Sequence, residues 1–332
     1  MKHTFKVSLN VIFLFVIVCL GTASAAALDT SVAKAMKDIS ASADDGNLLM
    51  MTNAPYVMVD GACALPHLDK AQALTGCTVG KGNLLFFQRP QNHPLRFMLF
   101  QKISGQAVII SKTKDAWQSE TLDLSPAAIS SPAFWEGAQK YAAGGDMFTL
   151  AAMANVWAKD GPYDFLKSAE LHNHICPGLT AGYLMAHYIL KHYPLKNGER
   201  YTVVACPVWC KDDAFQVIMD CTPGKKGLIA KNLSEKQIAQ VAFANPAGII
   251  LIWDGVKKTG KGVALSFDFA PVNALSPKGM PKAATVLSVL DHLDNPDRFV
   301  ATAAEFDLNE TLFEQITQAG DNPYEVAGLV KK

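Results

Sequence analysis

The chain has 332 residues, Lys+Arg 30 against Asp+Glu 30, a formal net charge of +0, and a hydrophobic share of 50%. That balance excludes a disordered chain, a collagen-like fibre and a strongly basic nucleic-acid binder. At roughly 150 residues per domain the length predicts about two domains. The 7 cysteines are too few for a small disulfide scaffold but enough for a metal or thiol site.

Residues 1–25 read as a secretory signal peptide. Lys2, His3 and Lys6 form a basic start, residues 11–20 are an unbroken apolar run, and Ala23-Ser24-Ala25 is a small-residue cleavage site. The run is shorter than the roughly 20 residues a membrane span needs, and no later stretch is long and apolar enough to span, so stable membrane insertion is not expected after cleavage. The mature chain is therefore expected in the periplasm, or otherwise secreted, where disulfides persist. A reaction driven by ATP or reduced nicotinamide is disfavoured there. Cys63, Cys77, Cys176, Cys206, Cys210 and Cys221 remain; an even number permits complete pairing, so a disulfide reading stands beside a metal one.

Residues 27–42 predict a helix, with Val32, Ala35 and Met36 at helical spacing and Asp29 as a candidate N-cap. Residues 56–59, 84–87, 95–101 and 107–110 read as strands, the last two joined by a turn at Ser104-Gly105. Residues 111–131 are polar and loop-like, and 132–158 carry helical patterns interrupted at Gly144-Gly145. In the second half, 179–193 predicts a helix ended by Pro194, 201–205 a strand and 212–219 a helix. Residues 247–253 and 263–269 predict strands around Lys258-Thr259-Gly260, and 288–318 predicts a mostly helical segment.

The two halves share a pattern. Asp69, Gln72, Cys77, Thr78, Gly80 and Lys81 read D-x-x-Q-x4-C-T-x-G-K, and Asp213, Gln216, Cys221, Thr222, Gly224 and Lys225 repeat it at identical spacings. The fold expected is α+β: two related α/β modules forming an internal repeat, the first lacking a His-x-His-x-Cys-Pro-Gly segment. The organisation expected is a signal peptide (1–25), a degenerate N-terminal module (26–112), a helical or loop linker (113–160) and a C-terminal metal-binding module (161–332).

The strongest local motif is Leu171-His172-Asn173-His174-Ile175-Cys176-Pro177-Gly178. In an extended segment His172, His174 and Cys176 alternate onto one face. Pro177 suits the first position of a helix, which places Cys176 near its N-cap, where the helix terminus favours thiolate. Two imidazoles and a thiolate form a partial site for Zn²⁺ or another borderline metal; loop histidines beside a disulfide, and thiol catalysis, are the alternatives. Gly178 and Gly182 would let this helix approach a neighbour closely. Cys206-Pro207-Val208-Trp209-Cys210-Lys211-Asp212-Asp213 then links a strand to a helix. Cys210 or Cys221 would complete the ligand set, with Asp213 and Gln216 orienting a ligand by hydrogen bonding; a Cys206–Cys210 disulfide is the rival. In the first half Cys63, His67 and Cys77 form a candidate second site, with a degenerate copy kept for packing as the alternative. The repeated Gly-Lys turn reads as a tight turn; it lacks the spacing of a P-loop.

These motifs resemble the FmdE family, whose name comes from formylmethanofuran dehydrogenase. His172, His174, Cys176, Pro177 and Gly178 match its H-G-H-x-C-P-G, with Asn173 at the glycine position. Cys210, Asp213, Ala214 and Gln216 match a Cys followed by D-A-I-Q. Cys221, Thr222, Gly224 and Lys225 match G-C-T-x-G-K, and residues 75–84 match that third motif more fully. The resemblance implies an α+β module with a His/Cys metal cluster, zinc in practice. It also implies a role in metal handling or as an accessory to a redox system. A metal- or thiol-dependent enzyme, in which zinc activates water with Asp213 as general base, and a module binding a small cofactor are the alternatives. If relatives pair as dimers, the duplication would make an internal pseudo-dimer.

Overall fold

The computed structural model describes residues 27–114 and 116–332; the expected signal peptide lies outside the described residues. The chain divides into two compact units. Unit 1 takes the described residues through Ala128 together with Ala133–Leu150, and unit 2 takes Ile129–Pro132 and Ala151–Lys332. The segment 113–160, expected as a linker, is thus shared between the two units.

Unit 1 starts with helix α1 (residues 27–38). Strands β1 (Leu48–Thr52), β2 (Met58–Val59) and β3 (Ala62–Cys63) precede helix α2 (Leu65–Thr75). Strands β4 (Leu84–Phe86), β5 (Arg96–Gln101), β6 (Gln106–Lys112) and β7 (Trp117–Asp123) follow. The main sheet has the order β4-β1-β5-β6-β7. β4 runs parallel to β1, with Met50 opposite Leu84, and the other pairs are antiparallel. Leu28, Val32 and Ala35 of α1 and Leu68 and Ala71 of α2 pack with Met50, Leu84, Phe97, Leu99, Val108 and Ile110 in one core. Apolar residues at helical spacing thus cover a sheet face. β7 was expected to be loop. Its sequence WQSETLD is polar because it is an edge strand, largely exposed and paired only with β6.

The chain continues through α3 (Pro126–Ile129), α4 (Pro132–Ala138), α5 (Met147–Ala158), α6 (Tyr163–His172) and α7 (Pro177–His192). In unit 2, β8 (Glu199–Ala205) leads to α8 (Lys211–Ile218) and β9 (Leu228–Ala230). After α9 (Glu235–Ala239) come β10 (Pro246–Asp254), β11 (Thr259–Phe267), α10 (Ala270–Ala274), α11 (Lys282–Leu287), β12 (Val300–Asn309), α12 (Glu310–Thr317) and α13 (Pro323–Val326). The sheet order is β12-β11-β10-β8-β9. β9 runs parallel to β8, with Val203 opposite Leu228, and every other pair is antiparallel. Read from the parallel end, both sheets have one sequence of pairings, and each carries a helix (α2 or α8) between its parallel strands.

The expected helix over 288–318 is corrected. Residues 300–309 pair with β11 along their length, so sheet pairing overrides the helix preference of an alanine-rich segment; α12 begins only at Glu310, with Asn309 as its N-cap. Ile316 and Tyr324, from α12 and α13, close the core over Val204, Ile249, Leu251 and Trp253. All six cysteines among the described residues are free thiols. No helix among those residues is long and apolar enough to cross a membrane.

Candidate functional site

The site lies in unit 2, where α6 ends, α7 begins and α8 crosses α7. α6 stops because Asn173 adopts left-handed backbone, φ 68°. Asparagine tolerates that conformation better than most residues, and glycine best. This overturns the expected extended alternation of His172, His174 and Cys176. His172 ends a helix, Cys176 is the N-cap of the next, and the chain reverses between them. Cys176 has extended backbone, its Sγ accepts from Leu179 N–H (3.4 Å), and Pro177 occupies the first turn.

α8 is pressed against α7 by two glycines. A Cβ at Gly182 would lie 2.1 Å from the Lys211 carbonyl oxygen, so the helices meet backbone to backbone there. A Cβ at Gly178 would lie 2.8 Å from Cys210 Cβ, 3.3 Å from Cys210 Sγ and 3.5 Å from Cys176 Sγ. The missing side chain leaves a notch bordered by two sulfurs.

Around it, ligand atoms of His172, Cys176 and Cys210 all lie within 4.8 Å of one another, the one such group of three or more among the described residues. His172 Nε2 is 3.8 Å from Cys176 Sγ. A tetrahedral Zn²⁺ with ordinary Zn–N and Zn–S bonds would hold these two atoms about 3.6 Å apart, so the donor set fits a metal. The opposite ring nitrogen, Nδ1, lies 2.7 Å from Asp213 Oδ2. A carboxylate only accepts, so the proton belongs on Nδ1 and the Nε2 lone pair faces the sulfurs. Gln216 Nε2 donates to Asp213 Oδ1 at 2.9 Å. Asp213 thus holds the His172 ring with one oxygen while Gln216 holds the other.

The remaining expected ligands are not members of that three-residue group. The His174 ring packs on His172, centroids 4.3 Å apart, outside the three-residue group. Cys221 is buried, its Sγ directed at the carbonyls of Met219 (3.4 Å) and Tyr201 (3.7 Å). Its counterpart Cys77 points at the Leu48 carbonyl in the same way (3.6 Å). Each cysteine precedes a single 3-10 turn (Val79–Lys81 and Pro223–Lys225) closed by a left-handed residue, Gly82 or Lys226. The shared C-T-x-G-K motif therefore anchors a tight turn onto the first sheet strand. The candidate second site does not assemble: Cys63 is exposed, Cys77 faces the core, and His67 rests against Trp117, ring centroids 5.9 Å apart.

Burial, reinforced by Cys210 nearby, pushes the Cys176 thiol up to about 11 against the Leu179 hydrogen bond. The helix terminus alone was expected to favour thiolate; desolvation of the metal-free thiol outweighs it. Cys206 is fully buried, its Sγ on the Val204 carbonyl (3.4 Å), and burial raises its thiol to about 12.

Sequence reasoning gave Lys211 no role, yet it is fully buried. Its ammonium donates to Pro207 O (2.9 Å) and Asp212 Oδ1 (2.5 Å) and sits 5.1 Å from the Trp209 ring centroid. Asp212 Oδ2 accepts from Trp209 N–H at 2.9 Å. Burial lowers the Lys211 ammonium, and Asp212 opposes the shift. The pair fastens the 206–210 loop and so fixes where Cys210 stands. The one available signal was a Lys-Asp dipeptide directly after a candidate ligand.

Fold and site together define an α+β protein with a candidate His/Cys metal centre between two crossing helices. Residues 171–297 match the family model described as FmdE, Molybdenum formylmethanofuran dehydrogenase operon, so this segment of the chain is similar to the FmdE family. The match spans every member of the cluster. No curated protein matches the chain.

Proposed function

We propose that unit 2 is a metal-binding module in which His172, Cys176 and Cys210 hold Zn²⁺, in a chain that handles metal or serves a redox system in the periplasm. The observation that carries this reading is the convergence of one imidazole and two sulfurs within 4.8 Å, with the imidazole oriented by Asp213. Nitrogen and sulfur donors select zinc over hard cations such as magnesium or calcium. Three protein ligands leave a fourth position for water or a small ligand, where bound zinc would act as a Lewis acid. His174 stands beside that cluster as the nearest further imidazole.

Unit 1 supports a duplicated ancestry, because it repeats the pairing sequence of the unit 2 sheet and its C-T-x-G-K turn while lacking the ligands. On this reading unit 1 is a scaffold copy. The basic, apolar and small-residue order of residues 1–25 supports export.

Metal analysis of protein purified from the periplasm tests the reading. About one zinc per chain is expected, lost in His172→Ala and in Cys176→Ala. Protein that carries no metal while its thiols are free would overturn it.

A further inference from the structure

We propose that Cys176 and Cys210 form a reversible dithiol–disulfide couple, so that the two sulfurs either hold a metal or, once oxidised, release it. Both Sγ atoms border the notch at Gly178, 3.3 and 3.5 Å from where a Cβ would stand. They lie no more than 4.8 Å apart, against the about 2.05 Å of a disulfide bond. Cys210 is half-exposed, and its side chain makes no capping hydrogen bond, so an external oxidant reaches it first. Spacing alone favours Cys206 as its partner, but Cys206 is a core residue packed with Val204, Ile249 and Tyr324. The structure assigns the pairing to Cys176.

The substrate class is a disulfide, of a small molecule or a protein. Cys210 thiolate attacks one substrate sulfur, the substrate S–S bond breaks, and a mixed disulfide forms as the first thiol leaves. Cys176 thiolate then attacks Cys210 Sγ and expels the second thiol. Two electrons pass from the protein sulfurs to the substrate; the two product thiols take the protons of Cys176 and Cys210 in the metal-free chain, and protons from water when the sulfurs start as metal-bound thiolates. A disulfide sulfur is no thiolate ligand, so the metal loses two of its three protein donors.

The test uses the full chain, metal-free and zinc-loaded, with oxidised glutathione as the probe. Non-reducing peptide mass mapping is expected to find a Cys176–Cys210 bond, with Cys77, Cys206 and Cys221 still thiols. Zinc is expected to appear on a chromogenic chelator in step with that bond and to return to the protein after reduction. Cys206→Ser keeps the pairing, and Cys210→Ser abolishes it. A Cys206–Cys210 bond, or glutathione adducts with no internal bond, would overturn the proposal, and so would zinc retained by fully oxidised protein. Zinc release rests on the metal reading, but disulfide mapping does not. A chain that never binds zinc yet forms the Cys176–Cys210 bond would refute the metal reading and support the couple.

Discussion

Gly182→Ala tests whether α7 and α8 must touch backbone to backbone for the cluster to exist. The added Cβ would lie 2.1 Å from the Lys211 carbonyl oxygen and 2.6 Å from Lys211 Cα. Both are backbone atoms, so no rotamer change relieves the clash. Ordinary contact begins near 3.4 Å, so α8 must retreat by more than an ångström. Overpacking of this kind costs about 1–3 kcal/mol, while alanine in a helix interior gains roughly 1 kcal/mol over glycine. The net loss expected in urea unfolding of the metal-free chain is therefore about 0–2 kcal/mol. Metal affinity should fall by roughly tenfold or more, because Cys210 adjoins Lys211 and metal–ligand distances tolerate only about 0.2 Å. Competition against a chelating dye reads that loss. Gly224→Ala is the control, since a Cβ there meets nothing within 4 Å. Wild-type stability and zinc affinity in Gly182→Ala would refute the reasoning.

Asp213→Asn removes the charge that orients His172 while preserving shape, and zinc affinity should drop by about 10–100-fold with circular dichroism unchanged. Asn173→Gly should be near-neutral, since the position is left-handed, whereas Asn173→Val should cost about 1–2 kcal/mol in thermal unfolding; equal effects would contradict the backbone account. Thiol alkylation reports burial: exposed Cys63 should label rapidly in folded protein. Cys77 and Cys221, pushed up to about 11 by burial, hold only about a thousandth of their thiols as thiolate at pH 8. Their labelling should rise as pH climbs toward that value, and rapid labelling at pH 8 would refute their placement in the cores.

Much of the site was legible because its chemistry is local. Cys176-Pro177 announced a helix start, and Gly178 and Gly182 announced a close helix approach; both features stand in the structure. What failed depended on conformation or on long-range pairing. One left-handed residue, Asn173, turned an apparent three-ligand strand into a helix end and a cap. Cys221 resembled a ligand by residue type, yet its thiol serves a turn, a role shared with Cys77 and visible only from the Leu48 and Tyr201 carbonyls. β7 and β12 were missed because edge strands are half solvated and their composition follows exposure. Lys211 was invisible because burial of a lysine is set by the loop folded over it.

The central claim is that one imidazole and two thiolates hold a metal in unit 2. X-ray absorption at the zinc edge of the loaded full-length protein tests it most directly. The account predicts two sulfur neighbours at about 2.3 Å together with nitrogen or oxygen neighbours at about 2.0–2.1 Å, falling to one sulfur in Cys210→Ser. Three or four sulfurs, which would bring Cys206 or Cys221 into the site, or no sulfur at all, would contradict it.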